Sequence, residues 1–119
     1  MRASAIVLMA TLAMTNVSHA QGLDGLYKPD AEWADAWDCK SVGMDGGAMA
    51  IQDGVFFGIE SECRMLNPTK VRDMDATLFD LHCSNESEIS QMRIMILDTP
   101  EGIVTVRDGG DVTRYIRCE

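Results

Sequence analysis

Along most of the chain, short apolar runs alternate with clusters of turn-forming residues, at a spacing that fits strands better than helices. Turn signals fall at Asp45-Gly46-Gly47, Asp53-Gly54, Asn67-Pro68, Ser84-Asn85-Glu86, Thr99-Pro100-Glu101-Gly102 and Asp108-Gly109-Gly110. The sharpest is Asp53-Gly54, because a two-residue Asp-Gly link supplies the positive φ angles of a type I′ turn and so predicts a hairpin between residues 48–52 and the segment from Val55. Period-two alternation then puts Val55, Phe57, Ile59, Cys63 and Met65 on one face of a strand, with Phe56, Glu60, Glu62 and Arg64 on the other. Thr77, Phe79, Leu81 and Cys83 likewise share a face from which Asp80 and His82 point away. Residues 92–97 and 103–106 are more continuously apolar and predict central strands, and residues 112–118 alternate again. The total is about seven strands, an all-β class, and a small antiparallel barrel or meander.

Before residue 40 the pattern changes. Pro29 precedes Asp30, a residue suited to N-capping, and apolar residues recur at i and i+4 through residues 30–37, which predicts a short N-terminal helical turn. Trp33 and Trp37 would then share a face, either as a plug for an open end of the barrel or as a pair that stacks on a sugar or ring-containing ligand. Residues 21–29 read as an N-terminal arm.

The first twenty residues have a different character. Arg2 followed by the apolar run of residues 5–14 and by Ser18-His19-Ala20 has the layout of a secretory signal peptide, residues 1–20, cleaved after Ala20. The run is about half the length that a membrane span needs. Residues 21–119 then form a single acidic domain, small enough to gain from covalent staples. All four cysteines follow the cleavage point, and export to an oxidising compartment turns an even count into two disulfides. Of the three connectivities, Cys39–Cys118 with Cys63–Cys83 is preferred: neighbouring first and last strands of a barrel would bring the outer pair together, and the inner pair flanks the charged stretch around Asp73. None of the cysteines is in a C-x-x-C pair, and no metal or cofactor is expected.

Charge narrows the partners. Acidic residues outnumber basic ones 19 to 10, for a formal net charge of −9, and loss of Arg2 with the leader deepens it. Such a surface repels nucleic acid and favours a basic protein or peptide. No catalytic constellation emerges: His82 with Asp80 and Ser84 on one strand face reads as a solvated polar surface, since triads are assembled from distant segments. Glu60 and Glu62, on one outward face, are candidate partner-binding carboxylates.

Gly25-Leu26-Tyr27, Trp37-Asp38-Cys39, Asp45-Gly46-Gly47, residues 58–63, Cys83 with Glu86, and the ending Tyr115-Ile116-Arg117-Cys118 together resemble small exported bacterial proteins of uncharacterised function that carry four cysteines in this order. The resemblance implies an envelope location. A weaker similarity runs to small periplasmic barrels that inhibit lysozyme or proteases, although the S-G-x-x-Y loop of the best-known lysozyme inhibitors is absent. The sequence therefore predicts a non-enzymatic periplasmic or secreted binding module that does not span the membrane, in its most concrete form an inhibitor of a cationic hydrolase. The alternative is a carrier of a small apolar or ring-containing ligand, with Trp33 and Trp37 at its mouth.

Overall fold

The computed structural model describes residues 3–6, 10 and 22–119; the expected cleavage point after Ala20 and most of the leader lie outside the described residues. From residue 22 onward the chain is built of β1 (Gly25–Pro29), β2 (Met49–Gln52), β3 (Val55–Gly58), β4 (Ser61–Lys70), β5 (Ala76–Ser84), β6 (Ile89–Asp98), β7 (Gly102–Arg107) and β8 (Val112–Arg117). Each strand pairs antiparallel with the next, and β8 returns to pair with β1, so the meander closes into a barrel. Closure removes both outer edges of the sheet, the usual weak point of a small β protein.

The strand that closes the barrel is the one the periodicity missed. Residues 25–29 are not an arm: Tyr27 lies opposite Met49 on one side and Arg117 on the other. Five residues with only two large apolar side chains are too few for a repeat to register. The Asp53-Gly54 turn is as expected, with φ of 50° and 77° at its two positions. Beyond it, the single strand predicted through residues 55–65 is broken by a two-residue turn at Ile59-Glu60, where Glu60 takes a φ of 53°. That turn reverses the facing of β3. Phe56 stands opposite both Ile51 and Cys63 and packs against the core, while Val55 and Phe57 face outward. Asn67-Pro68 is likewise no hairpin turn but a bulge in β4, where the register with β5 shifts between Leu66 and Thr69 and Asn67 takes a φ of 52°.

Residues 30–48 link β1 to β2. They contain one 3-10 turn, Glu32–Ala34, whose N-cap is Ala31 and not Asp30, with no side-chain cap. Ala50 points out of the barrel yet is fully buried, as are Ala34 and Ala48 within this connection. Cys39–Cys118 ties it down; Cys39 sits in the connection, and Cys118 donates its N–H to the Leu26 carbonyl of β1. Asp38 shapes the start of the loop, accepting from the Ser41 hydroxyl at 2.6 Å and from the Ser41 and Lys40 N–H groups at 2.9 and 2.7 Å. Those bonds hold its carboxyl down at about 2. Cys63–Cys83 joins directly opposite residues of β4 and β5 inside the barrel.

Candidate binding site

The antiparallel order sorts the connections between two ends. The start of β1, the Asp53-Gly54 turn, connections 71–75 and 99–101 and the end of β8 share one end; the end of β1 and turns 59–60, 85–88 and 108–111 share the other.

The first end is sealed by its own side chains. Tyr27, Ile51, Ile96 and Ile103, each 1% exposed, fill the interior beneath it. Leu23, also buried, lies over them, and the Tyr27 hydroxyl donates to its carbonyl. Arg117 completes the seal by donating to the Gly22 carbonyl at 2.6 Å, pairing with Asp98 at 3.2 Å, and lying over the Tyr27 ring at 5.4 Å. Burial pushes the Tyr27 hydroxyl above its ordinary pKa, with Arg117 opposing in part.

At the second end the inward positions are small: Gly58 lies opposite Ser61, and Cys63 opposite Cys83, which in turn faces Ser90. Small residues leave space, and the barrel opens here into a cavity of about 300 Å³. Phe56, Leu81, Met92 and Tyr115 supply apolar walls, and Ser90, Thr105 and Arg107 the polar groups. Arg107 belongs to the inward-facing set because it stands opposite Ile94, yet it forms no ion pair among the described residues. Burial raises the pKa of Tyr115, with the nearby Arg107 opposing in part. Around the opening, Glu60, Glu86, Glu88, Asp108 and Asp111 stand exposed on the three turns, which carry no Lys or Arg. Carboxylates on three of the four connections at this end thus surround a well with apolar walls and a few polar groups.

The expected site residues divide. Trp33, Trp37 and Glu60 come together, with Asp45, around a second hollow of about 440 Å³ beside the opening. The indoles meet edge to face at 6.0 Å. Trp37 packs on the core, but Trp33 is 71% exposed and plugs nothing. Glu62 is apart from Glu60: it lies on the outer wall of β4, opposite Phe57 and Ser84, because the 59–60 turn separates the two. His82 also faces outward, and Asp80 is engaged elsewhere, accepting from the Asn67 amide and the Arg93 guanidinium at 2.9 Å each. The Asn67 bond first, then Arg93, keeps the Asp80 carboxyl below its ordinary range. Ser90 and Arg107 were not singled out by sequence; their alternation signal exists, but each lies at the polar end of a strand where alternation fades.

Among the described residues no cluster of His, Cys, Asp or Glu could hold a metal ion, and no helix is long and apolar enough to cross a membrane. Compared with protein-family models, curated proteins and solved structures, the chain finds no significant match in any of the three.

Proposed function

We propose that this protein is a non-enzymatic exported binding module, periplasmic or secreted, that engages a basic protein or peptide with the open end of its barrel. The observation that carries this reading is the ring of carboxylates on turns 59–60, 85–88 and 108–111 around an apolar opening, on a chain of net charge −9. Charges gathered on a rim raise the encounter rate with a cationic surface and lose that effect within about 10 Å at ordinary salt. An apolar well behind the rim offers burial to a side chain that the rim has attracted, and an inhibitor of a cationic hydrolase is the concrete form. The two disulfides are compatible with an oxidising compartment.

The test is binding of a basic lysozyme and of polylysine to the oxidised protein at low and high salt. Binding at low salt, lost when Glu86, Glu88, Asp108 and Asp111 become amides and kept when Asp53 and Asp75 do, is the expected result. Binding indifferent to salt or to those four positions would sink the proposal.

A second reading has its own observation, the cavity of about 300 Å³. It is at the lower limit for a small-molecule site and has apolar walls with a few polar groups. A small apolar ligand would sit there and not between the tryptophans. Displacement of an anilinonaphthalene dye by such a ligand, abolished by Ser90→Trp, tests it.

A further inference from the structure

The closed barrel conceals a stretch of free sheet edge. β6 pairs with β5 from Ile89, opposite Ser84, to Leu97, opposite Ala76, whereas its pairing with β7 begins only at Ile94, opposite Arg107. Residues 89–93 therefore have a partner strand on one side and, among the described residues, none on the other.

The phase of the ladder tells which groups are left over. At its two ends the Asn85 N–H donates to the Glu88 carbonyl and the Asp98 N–H to the Asp75 carbonyl. Counting inward from either bond, Ser90, Met92 and Ile94 direct their backbone groups to β5, and the alternation of an antiparallel ladder turns those of Ile89, Gln91 and Arg93 into the gap. β7 cannot meet them. It ends at Arg107, where the chain turns back with the Arg107 N–H donating to the Asp111 carbonyl at 2.9 Å. What remains is a groove of about 790 Å³ flanked by Gln91, Arg93, Val106, Arg107 and Asp108. Five residues of edge run for about 17 Å, the span of a short strand.

Natural edges are normally blunted by lysine, proline or a bulge. Residues 89–93 read Ile-Ser-Gln-Met-Arg and hold a regular register with β5, so lysine, proline and bulge are all missing, and the one charged side chain on the edge, Arg93, is held by Asp80. Ile89, at the head of the edge, is 87% exposed.

We infer that this edge is a strand-addition site: residues 89–93 take an extended segment of a basic partner protein into the sheet, main chain to main chain. The inference rests on the basic-partner reading above and names its mode of docking. The backbone groups require an extended occupant. Its charge follows from the two turns that bound the gap, which present Glu86, Glu88, Asp108 and Asp111. Of the two arginines that flank the groove, Arg93 is already paired with Asp80 at 2.9 Å, so Arg107 alone opposes four carboxylates. A second copy of the chain brings the same excess of acid and is disfavoured as occupant.

The probe is the peptide acetyl-Lys-Val-Lys-Val-Lys-amide, with a version N-methylated at alternate residues so that it cannot donate to the edge, titrated into the oxidised, nitrogen-15-labelled protein. The unblocked peptide is expected to move the amide signals of Ile89, Gln91 and Arg93 and slow their solvent exchange. The blocked peptide should bind about tenfold more weakly, the equivalent of one or two net hydrogen bonds. Gln91→Pro removes an N–H that β5 does not use, and should keep the thermal transition while losing the peptide; if it does not fold, the methylated peptide still decides. Equal binding of both peptides would overturn strand addition and leave the basic-partner reading standing. Failure of both peptides, while lysozyme and polylysine still bind the rim, has the same meaning; failure of all of them overturns both. Protection of residues 89–93 by self-association in the absence of peptide would give the edge to a second copy and end the inference.

Discussion

The two ends of the barrel are made from the same eight strands and differ in how completely they satisfy themselves. At the closed end, every charged group drawn into the interior has a partner of its own: Arg117 meets Asp98, the Gly22 carbonyl and the Tyr27 ring, and Leu23 covers the opening. At the open end, Arg107 and the five rim carboxylates form no ion pair among the described residues, and the inward positions are small enough to leave a cavity. One end spends its polar groups on holding the fold, and the other leaves them available. Binding requires the second condition, since groups already paired within the fold have little left to offer a ligand.

The two disulfides provide the hardest test of this contrast. Cys39–Cys118 encloses a sequence separation of 79 residues against 20 for Cys63–Cys83. On the chain-entropy treatment their loss costs about 4 to 5 and about 3 kcal/mol respectively, so Cys39→Ala/Cys118→Ala should lower the denaturant midpoint more than Cys63→Ala/Cys83→Ala. Only the latter pair lines the cavity, so dye binding at the open end should respond to it first.

Next in size is Tyr27→Ala, which empties a 1%-exposed site and removes the hydroxyl bound to Leu23. A cost of about 3 kcal/mol in equilibrium unfolding is expected. Asp98→Asn should cost about 1 kcal/mol, since its pair with Arg117 is partly exposed and Arg117 retains the Gly22 carbonyl. At the open end, Arg107→Ala should change the same unfolding curve by no more than about 0.5 kcal/mol while strengthening polylysine binding, because it removes the cation that opposes the rim. A large loss of stability there, or none at Tyr27, would erase the distinction between the ends.

The smallest effect is one of pH. Asp38 ionises at about 2 in the folded protein, below its ordinary value of 3.8, so the folded state favours the carboxylate. Its contribution is complete above the unfolded value and fades as pH falls through the folded one. In Asp38→Asn, the part of acid unfolding that lies between about 4 and 2 should flatten, and the backbone amide signals of residues 40 and 41, which donate to the Asp38 carboxylate, should lose their pH dependence there.

Much of the barrel was legible because its physics is local. The type I′ turn at Asp53-Gly54 and the alternation of Thr77, Phe79, Leu81 and Cys83 depend only on neighbours along the chain, and both are as expected. Glu60 shows where locality fails. Its neighbours alternate well enough to continue a strand, but the chain turns there, and the turn undoes the inward assignment of Val55 and Phe57 and the shared face of Glu60 with Glu62. Trp33 and Trp37 were correctly seen as neighbours, but sequence could not tell that one would rest on the core and the other remain in solvent.

By itself, then, the order of residues determined an all-β class of barrel or meander, two disulfides with Cys39–Cys118 and Cys63–Cys83 only preferred among three connectivities, and an acidic character, which follow from periodicity, parity and composition. The structure supplied the closure and that pairing. Tertiary structure decided which end would be sealed, that residues 25–29 would close the sheet, and that β6 would outrun β7 and leave an edge at residues 89–93. These are questions of relative strand length and register around a closed ring, and no segment carries the answer until all eight are in place.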